Sequence, residues 1–180
     1  MLAFNNLITL LFDTYAMIVL ARLWLQWARA DFYNPLSQFV VKATQPAVGP
    51  LRGIIPSLGK FDTATFVFAF LVILTKFIVF FVLTDSMFPV LPTIILVLFG
   101  LLKSAFWLLF IVLIGNMILS FVPNVGPSVR YLLHQLTDPL LAPIRRFLPS
   151  LGGLDFSPLV LILAIQFALD LIGQYLPYLM

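Results

Sequence analysis

The sequence predicts an all-α membrane protein with about four transmembrane helices, built as two parallel tandem repeats with short interfacial helices. Three observations carry the prediction: a composition too oily for a domain clothed in water, four apolar stretches of spanning length, and an ungapped internal repeat. Of the 180 residues, 62% are hydrophobic and only 9% charged, with a mean hydropathy of +1.12. A soluble domain draws about a quarter of its residues from charged types. The 19 Phe suit lipid-facing and helix-packing surfaces better than a small aqueous core.

The apolar stretches run over residues 4–27, 64–83, 93–121 and 158–179. Each reaches or approaches the roughly 20 residues that cross hydrocarbon as a helix, the form in which lipid leaves no backbone group unpaired. The first lacks a basic leader and an Ala-x-Ala-like cleavage site, so it reads as a retained anchor. The third, about 29 residues or roughly 43 Å long, must tilt, protrude or begin as an interfacial piece before Lys103. Trp24, Trp27, Tyr175 and Tyr178 fall where an aromatic belt belongs, with Trp107 deeper.

The connections differ in charge. Arg29, Lys42, Arg52 and Lys60 lie between the first and second spans, and Arg130, Arg145 and Arg146 between the third and fourth. The middle connection carries Asp85 and no basic residue. Positive-inside bias puts both long loops in the cytoplasm, with both termini and Asp85 outside. The net charge of +3 and pI near 9.5 read as anchoring to anionic lipid and not as nucleic-acid binding, since no basic run with interleaved aromatics occurs.

Residues 44–59, TQPAVGPLRGIIPSLG, align without gaps on residues 137–152, TDPLLAPIRRFLPSLG. The constant offset matches Pro46 to Pro139, Pro50 to Pro143, Arg52 to Arg145, Pro56 to Pro149 and Asp62 to Asp155. The expected units are residues 1–86 and 87–180, each a span, a cytoplasmic loop and a span. Two crossings per unit give both copies the same orientation, unlike inverted-repeat transporters. Before each motif, residues 35–43 and 127–136 predict a short amphipathic segment; in the second, Val129, Leu132, Leu133 and Leu136 share a face. Such a segment lies at the interface or docks a partner. The prolines that follow, every three to six residues, predict a stiff folded connection in place of a continuous helix.

Arg52, Arg145 and Arg146 on these connections are candidates for headgroup or partner contact, because a guanidinium matches phosphate oxygens bidentately. The competing reading pairs Arg52 with Asp62 and Arg145 with Asp155. Asp62, Asp155 and Ser157 precede apolar spans and are candidate helix caps or loop pairing groups.

Four charges fall inside spans. Asp13 and Lys103 lie roughly 24–27 Å, and Lys76 and Asp170 roughly 21–23 Å, from the cytoplasmic ends. They form a candidate ion-pair belt in which Lys76 meets Asp170; snorkelling is the alternative, above all for Lys103. Gln166, Asp170 and Gln174 share a face, as interhelical contacts or as a water path. Arg22, Gln26 and Arg29 form a stripe near the cytoplasmic edge, where long basic side chains reach water, and Asn116 is an expected interhelical donor.

No Cys and a single His, His134, exclude disulfides and thiolate ligands and make histidine metal clusters and a Ser/His/Asp triad improbable. No cofactor or metal is expected, and no enzyme.

The duplicated proline–arginine loop, above all LTDPLLAPIRRFLPSLGGLDFSPLV, resembles the YggT family of small bacterial inner-membrane proteins, which has plastid relatives. The second motif carries the resemblance through Thr137, Asp138, Pro139, Pro143, Arg145, Pro149, Asp155, Ser157 and Pro158. The first departs from it: Gln45 stands in place of Asp, Lys60 where the second has Gly153, and residues 63–65 where it has 156–158. The resemblance implies an inner-membrane protein connected with osmotic-stress tolerance in bacteria and with assembly or membrane organisation in plastids, and no catalytic residues. Two function classes follow. The first is a non-enzymatic scaffold or assembly protein, in contact with membrane lipids and with an unidentified membrane-protein partner or a homo-oligomer mate. The second is a small channel or transport-associated protein in osmotic tolerance.

Overall fold

In the computed structural model the described residues are 2–59, 61–84, 89–121, 126–148 and 155–175. Lys60, Asp85, Pro149, Gly153, Tyr178 and the end of the fourth predicted span lie outside them. Six helices follow in order: α1 (Leu2–Trp27), α2 (Pro35–Ile54), α3 (Thr63–Thr84), α4 (Val90–Phe121), α5 (Pro127–Phe147) and α6 (Ser157–Tyr175). Four of them, α1, α3, α4 and α6, are long and apolar enough to cross a membrane. The protein is therefore an all-α, multi-pass membrane protein.

The centre of the bundle is α1, α3 and α4, each packed on the other two; α2 lies against α1 and α3, and α5 against α4 and α6. Ala16, Val19, Ala69, Val72, Ile73, Val97 and Leu101 interlock there. Small residues let backbones approach, which is how helices associate in lipid without a hydrophobic drive between them. Gly100 on α4 is the tightest such point: a Cβ there would stand 3.0 Å from Ile73 Cγ2. Gly100→Leu should therefore splay α3 from α4 and cost about 1–3 kcal/mol, as overpacking does, read as a lower unfolding midpoint in detergent micelles.

The third span does not begin late. α4 is one helix of 32 residues, roughly 48 Å long, so it must tilt or protrude.

A larger difference lies in the loops. The short interfacial helices expected before the prolines are 20 and 21 residues long, because α2 continues through Pro46 and Pro50, and α5 through Pro139 and Pro143. Each proline removes one N–H and leaves the carbonyl four residues back without its donor. With the two prolines one turn apart, both losses fall on one side of the helix. Of the residues whose carbonyls are freed, Lys42, Pro46 and Pro139 are exposed and Gln135 is half-buried, so the losses fall on an outward side and the helix survives. The Tyr15 hydroxyl also donates to the Ala43 carbonyl, 3.3 Å away, beside the carbonyl that Pro46 strands.

Local signals fix where α2 starts. α1 stops in a turn that places Arg29 at φ 52°, with the Ala30 N–H bonded to the Leu25 carbonyl at 2.9 Å and the Arg29 N–H to that of Gln26 at 3.2 Å. These are the two bonds of a Schellman motif, with an arginine in the left-handed position usually held by glycine. Asn34 then caps α2, accepting the Leu36 N–H at 2.9 Å, with Pro35 in the first turn. Its amide donates to the Ser128 carbonyl at 2.7 Å, and the Asp31 N–H donates to Gln135 Oε1 at 3.1 Å. The N-terminal ends of the two amphipathic helices are thereby tied together, over a cluster of Leu25, Ala30, Leu132 and Leu136.

Candidate functional site

Each amphipathic helix is held at both ends and in the middle by polar contacts. The middle contact is a threonine. Thr44 and Thr137 are each 0% exposed, and each bonds back to the carbonyl one turn earlier, Val40 at 2.8 Å and Leu133 at 2.9 Å. Each also accepts from the span beneath it: Arg22 Nη1 donates to Thr44 at 2.8 Å, and Asn116 Nδ2 to Thr137 at 3.2 Å.

Arg22 differs from its expected placement. Instead of reaching water it is only 4% exposed, and its second nitrogen donates to Gln45 Oε1 at 2.7 Å. A buried guanidinium needs acceptors, and α2 supplies two within one turn. Gln45 was legible as a departure from the second copy; its partner was not, because position alone does not say which way a long side chain turns. Arg22→Leu should loosen α2 from α1 and cost about 2 kcal/mol, the worth of two hydrogen bonds to a charge less the desolvation relieved. Faster proteolysis of the α2 segment would check it.

The C-terminal contact is an arginine–aspartate clasp. Arg52 in the last turn of α2 bonds Asp62 just before α3, and Arg145 in the last turn of α5 donates from Nε to Asp155 Oδ2 at 2.8 Å just before α6. Asp62 also accepts the Thr65 N–H at 3.2 Å and the Thr65 hydroxyl, so it caps α3 as well. Asp155 accepts the Ser157 N–H at 2.9 Å. Arg145 reaches one group more, Asp138, at 3.0 Å, and His134 stands 3.4 Å from the same carboxylate. Arg146 is exposed beside it.

The two clasps are not equally deep. Asp62 has 0% of its side chain exposed and Asp155 37%, against 37% and 38% for their arginines. Burial alone would raise the Asp62 pKa, but the hydrogen bonds from Arg52 and Thr65, with the Arg52 charge, outweigh it and hold the carboxyl below its usual value. At Asp155, burial is likewise outweighed, here by the bonds from Ser157 and Arg145, and the pKa is again lowered.

Inside the membrane the charges pair differently from expectation. Lys76 meets Asp13 on α1, Nζ to Oδ1 at 2.6 Å, and not Asp170. The physical reason is the packing order: α3 lies directly on α1, whereas α4 packs against both α3 and α6. Lys76 is 7% exposed and its ammonium also stands 5.1 Å from the Phe77 ring centroid. Lys103 and Asp170 line a separate cavity of about 380 Å³ between α4 and α6, with Gln166 and Gln174. Gln166 Nε2 bonds Asp170 at 3.1 Å, and no ion pair joins Asp170 to Lys103. Near the clasp of the first half, an apolar groove of about 430 Å³ runs between α1, α4 and α5, lined by Trp24, Trp27 and Leu109 together with Gln26 and Asp62.

Among the described residues no group of three or more His, Cys, Asp or Glu could hold a metal ion. A family profile described as CCB3/YggT matches the chain twice, over residues 1–83 and 95–176. The chain belongs to the CCB3/YggT family. It is 51% identical over 170 residues to a Vibrio alginolyticus protein named for the proC 3′ region, covering 93% of this chain and 92% of that one. With the Escherichia coli K12 protein named YggT it shares 47% identity over 158 residues, 87% of this chain and 82% of the other. A shorter likeness, 37% over 55 residues, covers 31% of this chain and 22% of the Arabidopsis thaliana protein named YlmG homolog protein 2, chloroplastic. No solved structure matches. Each CCB3/YggT match spans one helix trio, α1–α3 or nearly all of α4–α6, with its clasp.

Proposed function

We propose that this CCB3/YggT chain is a non-enzymatic scaffold or assembly protein of the bacterial inner membrane, made of two parallel tandem repeats, residues 1–86 and 87–180. In this reading α2 and α5 are fixed platforms on the cytoplasmic side, offering Arg52, Arg145 and Arg146 to lipid headgroups or to a membrane-protein partner. The carrying observation is the repeated clasp. Arg52–Asp62 and Arg145–Asp155 recur at one offset and pin each amphipathic helix to the start of the next span. Exposed Phe39 and Leu36 on α2, and Tyr131 on α5, give the platforms an apolar surface toward the membrane. The clasps engage part of each guanidinium and leave more than a third of each arginine side chain exposed, so phosphate contact and clasp are compatible.

A second reading, a small transport-associated protein in osmotic tolerance, rests on the polar cavity of Lys103, Gln166, Asp170 and Gln174. One pair of experiments separates the two. For the scaffold, photo-crosslinks from position 147 in native membranes depend on Arg145 and Arg146, and the purified protein in liposomes carries no ion flux. Flux that disappears in Asp170→Asn, with crosslinks indifferent to both arginines, overturns the scaffold reading.

A further inference from the structure

The two halves of the chain treat their membrane charges oppositely. In the first, the acid on α1 and the amine on α3 close on each other at 2.6 Å inside the bundle. In the second, the amine is on α4 and the acid on α6, and both are exposed, as are Gln166 and Gln174. Only 11% of the apolar window of α6 is buried, the least of the four spans. Asp170 lies thirteen residues into α6, roughly 20 Å from its start, too deep to reach the headgroups on that side. Insertion scales put the cost of an Asp at about 2.5–3.5 kcal/mol at a helix centre, and Asp170, five residues before the end of α6 at Tyr175, carries part of that cost while it faces lipid. A covered face would remove it.

The face carries its own complement. One acid and one amine side by side on an outward surface are matched by the same surface turned through a two-fold axis, which sets each amine against the other copy's acid. Gln166 and Gln174, one turn before and after Asp170, supply donors and acceptors across such a contact. We propose that α4 and α6 form the face on which two copies of this chain pair as a symmetric dimer within the membrane, each Lys103 meeting the other copy's Asp170. The proposal needs only the membrane-spanning reading; failure of the platform role of α2 and α5 would leave it standing.

Two differently tagged copies, co-expressed and extracted in mild detergent, test it. Wild-type copies should capture each other. Lys103→Asp alone makes the face doubly acidic and Asp170→Lys alone doubly basic, and each should lower self-capture about tenfold, the equivalent of about 1.4 kcal/mol. Mixing the two variants should restore capture, because both intermolecular pairs reform while neither chain can form the pair within itself. As the natural chain has no Cys, Phe167→Cys on the exposed side of α6 offers an independent readout on an otherwise native protein: a disulfide-linked dimer in oxidised membranes. Capture insensitive to charge reversal, or no rescue on mixing two well-dispersed variants, overturns the proposal. So does a Phe167→Cys chain that stays monomeric or crosslinks to a different protein.

Discussion

Asp62→Ala should destabilise the protein by about 3 kcal/mol, whereas Asp155→Ala should cost about 1 kcal/mol, although the two aspartates occupy matching places. The asymmetry comes from burial. Removing one partner of a buried pair costs about 3–5 kcal/mol because a charge is left uncompensated, but Arg52 is more than a third exposed and can turn to water, which places Asp62 at the low end. Loss of the α3 cap belongs to the same figure. Asp155 is as exposed as its arginine, and Arg145 keeps Asp138, so its clasp behaves as a surface pair worth about 1 kcal/mol or less. Unfolding in detergent–SDS mixtures would measure both.

The pH dependence has a definite sign. A carboxyl whose folded pKa is lowered stabilises the fold fully above its unfolded value, about 3.9, and loses that contribution as pH falls through the still lower folded value. The stability difference between wild type and Asp62→Asn should therefore hold constant from pH 7 to about 5 and shrink only below about 4. A difference that vanished between pH 7 and 5 would mean that Asp62 is not the clasped carboxylate described.

The second large effect is at the membrane pair. Lys76→Met should cost about 2–3 kcal/mol by leaving Asp13 without its amine among α1 and α3 side chains. Adding Asp13→Leu should return most of the loss, to within about 1 kcal/mol of wild type, since an apolar pair of similar volume avoids burying charge altogether. A double variant as unstable as the single would show that Lys76 acts through other contacts, such as Phe77.

The parts legible in the sequence were those set by composition and spacing. Spans of about 20 apolar residues must be helices in lipid, and α1, α3, α4 and α6 occupy nearly the ranges that hydropathy marks. The acid and base at the clasp were legible as a pairing alternative because both recur with the repeated loop.

What the sequence misjudged depended on environment. Proline breaks a helix whose stranded carbonyls are buried; in α2 and α5 those carbonyls lie on an exposed side, so a propensity rule gave way to local solvation. Depth along a helix placed Asp13, Lys76, Lys103 and Asp170 in one layer, but depth says nothing of azimuth. Only packing order decides that α1 and not α6 meets Lys76. Arg22 turned inward for the same reason: Thr44 and Gln45, on a different helix, provide its acceptors.

In the proposed arrangement the two clasped amphipathic helices share the cytoplasmic side of the membrane. Single cysteines at Ile54 and Phe147, both largely exposed near the clasps, can be challenged with a membrane-impermeant maleimide in intact spheroplasts and in inverted vesicles. Both positions should react in inverted vesicles and stay protected in spheroplasts; labelling of either from the outer face, or of the two from opposite faces, would contradict it.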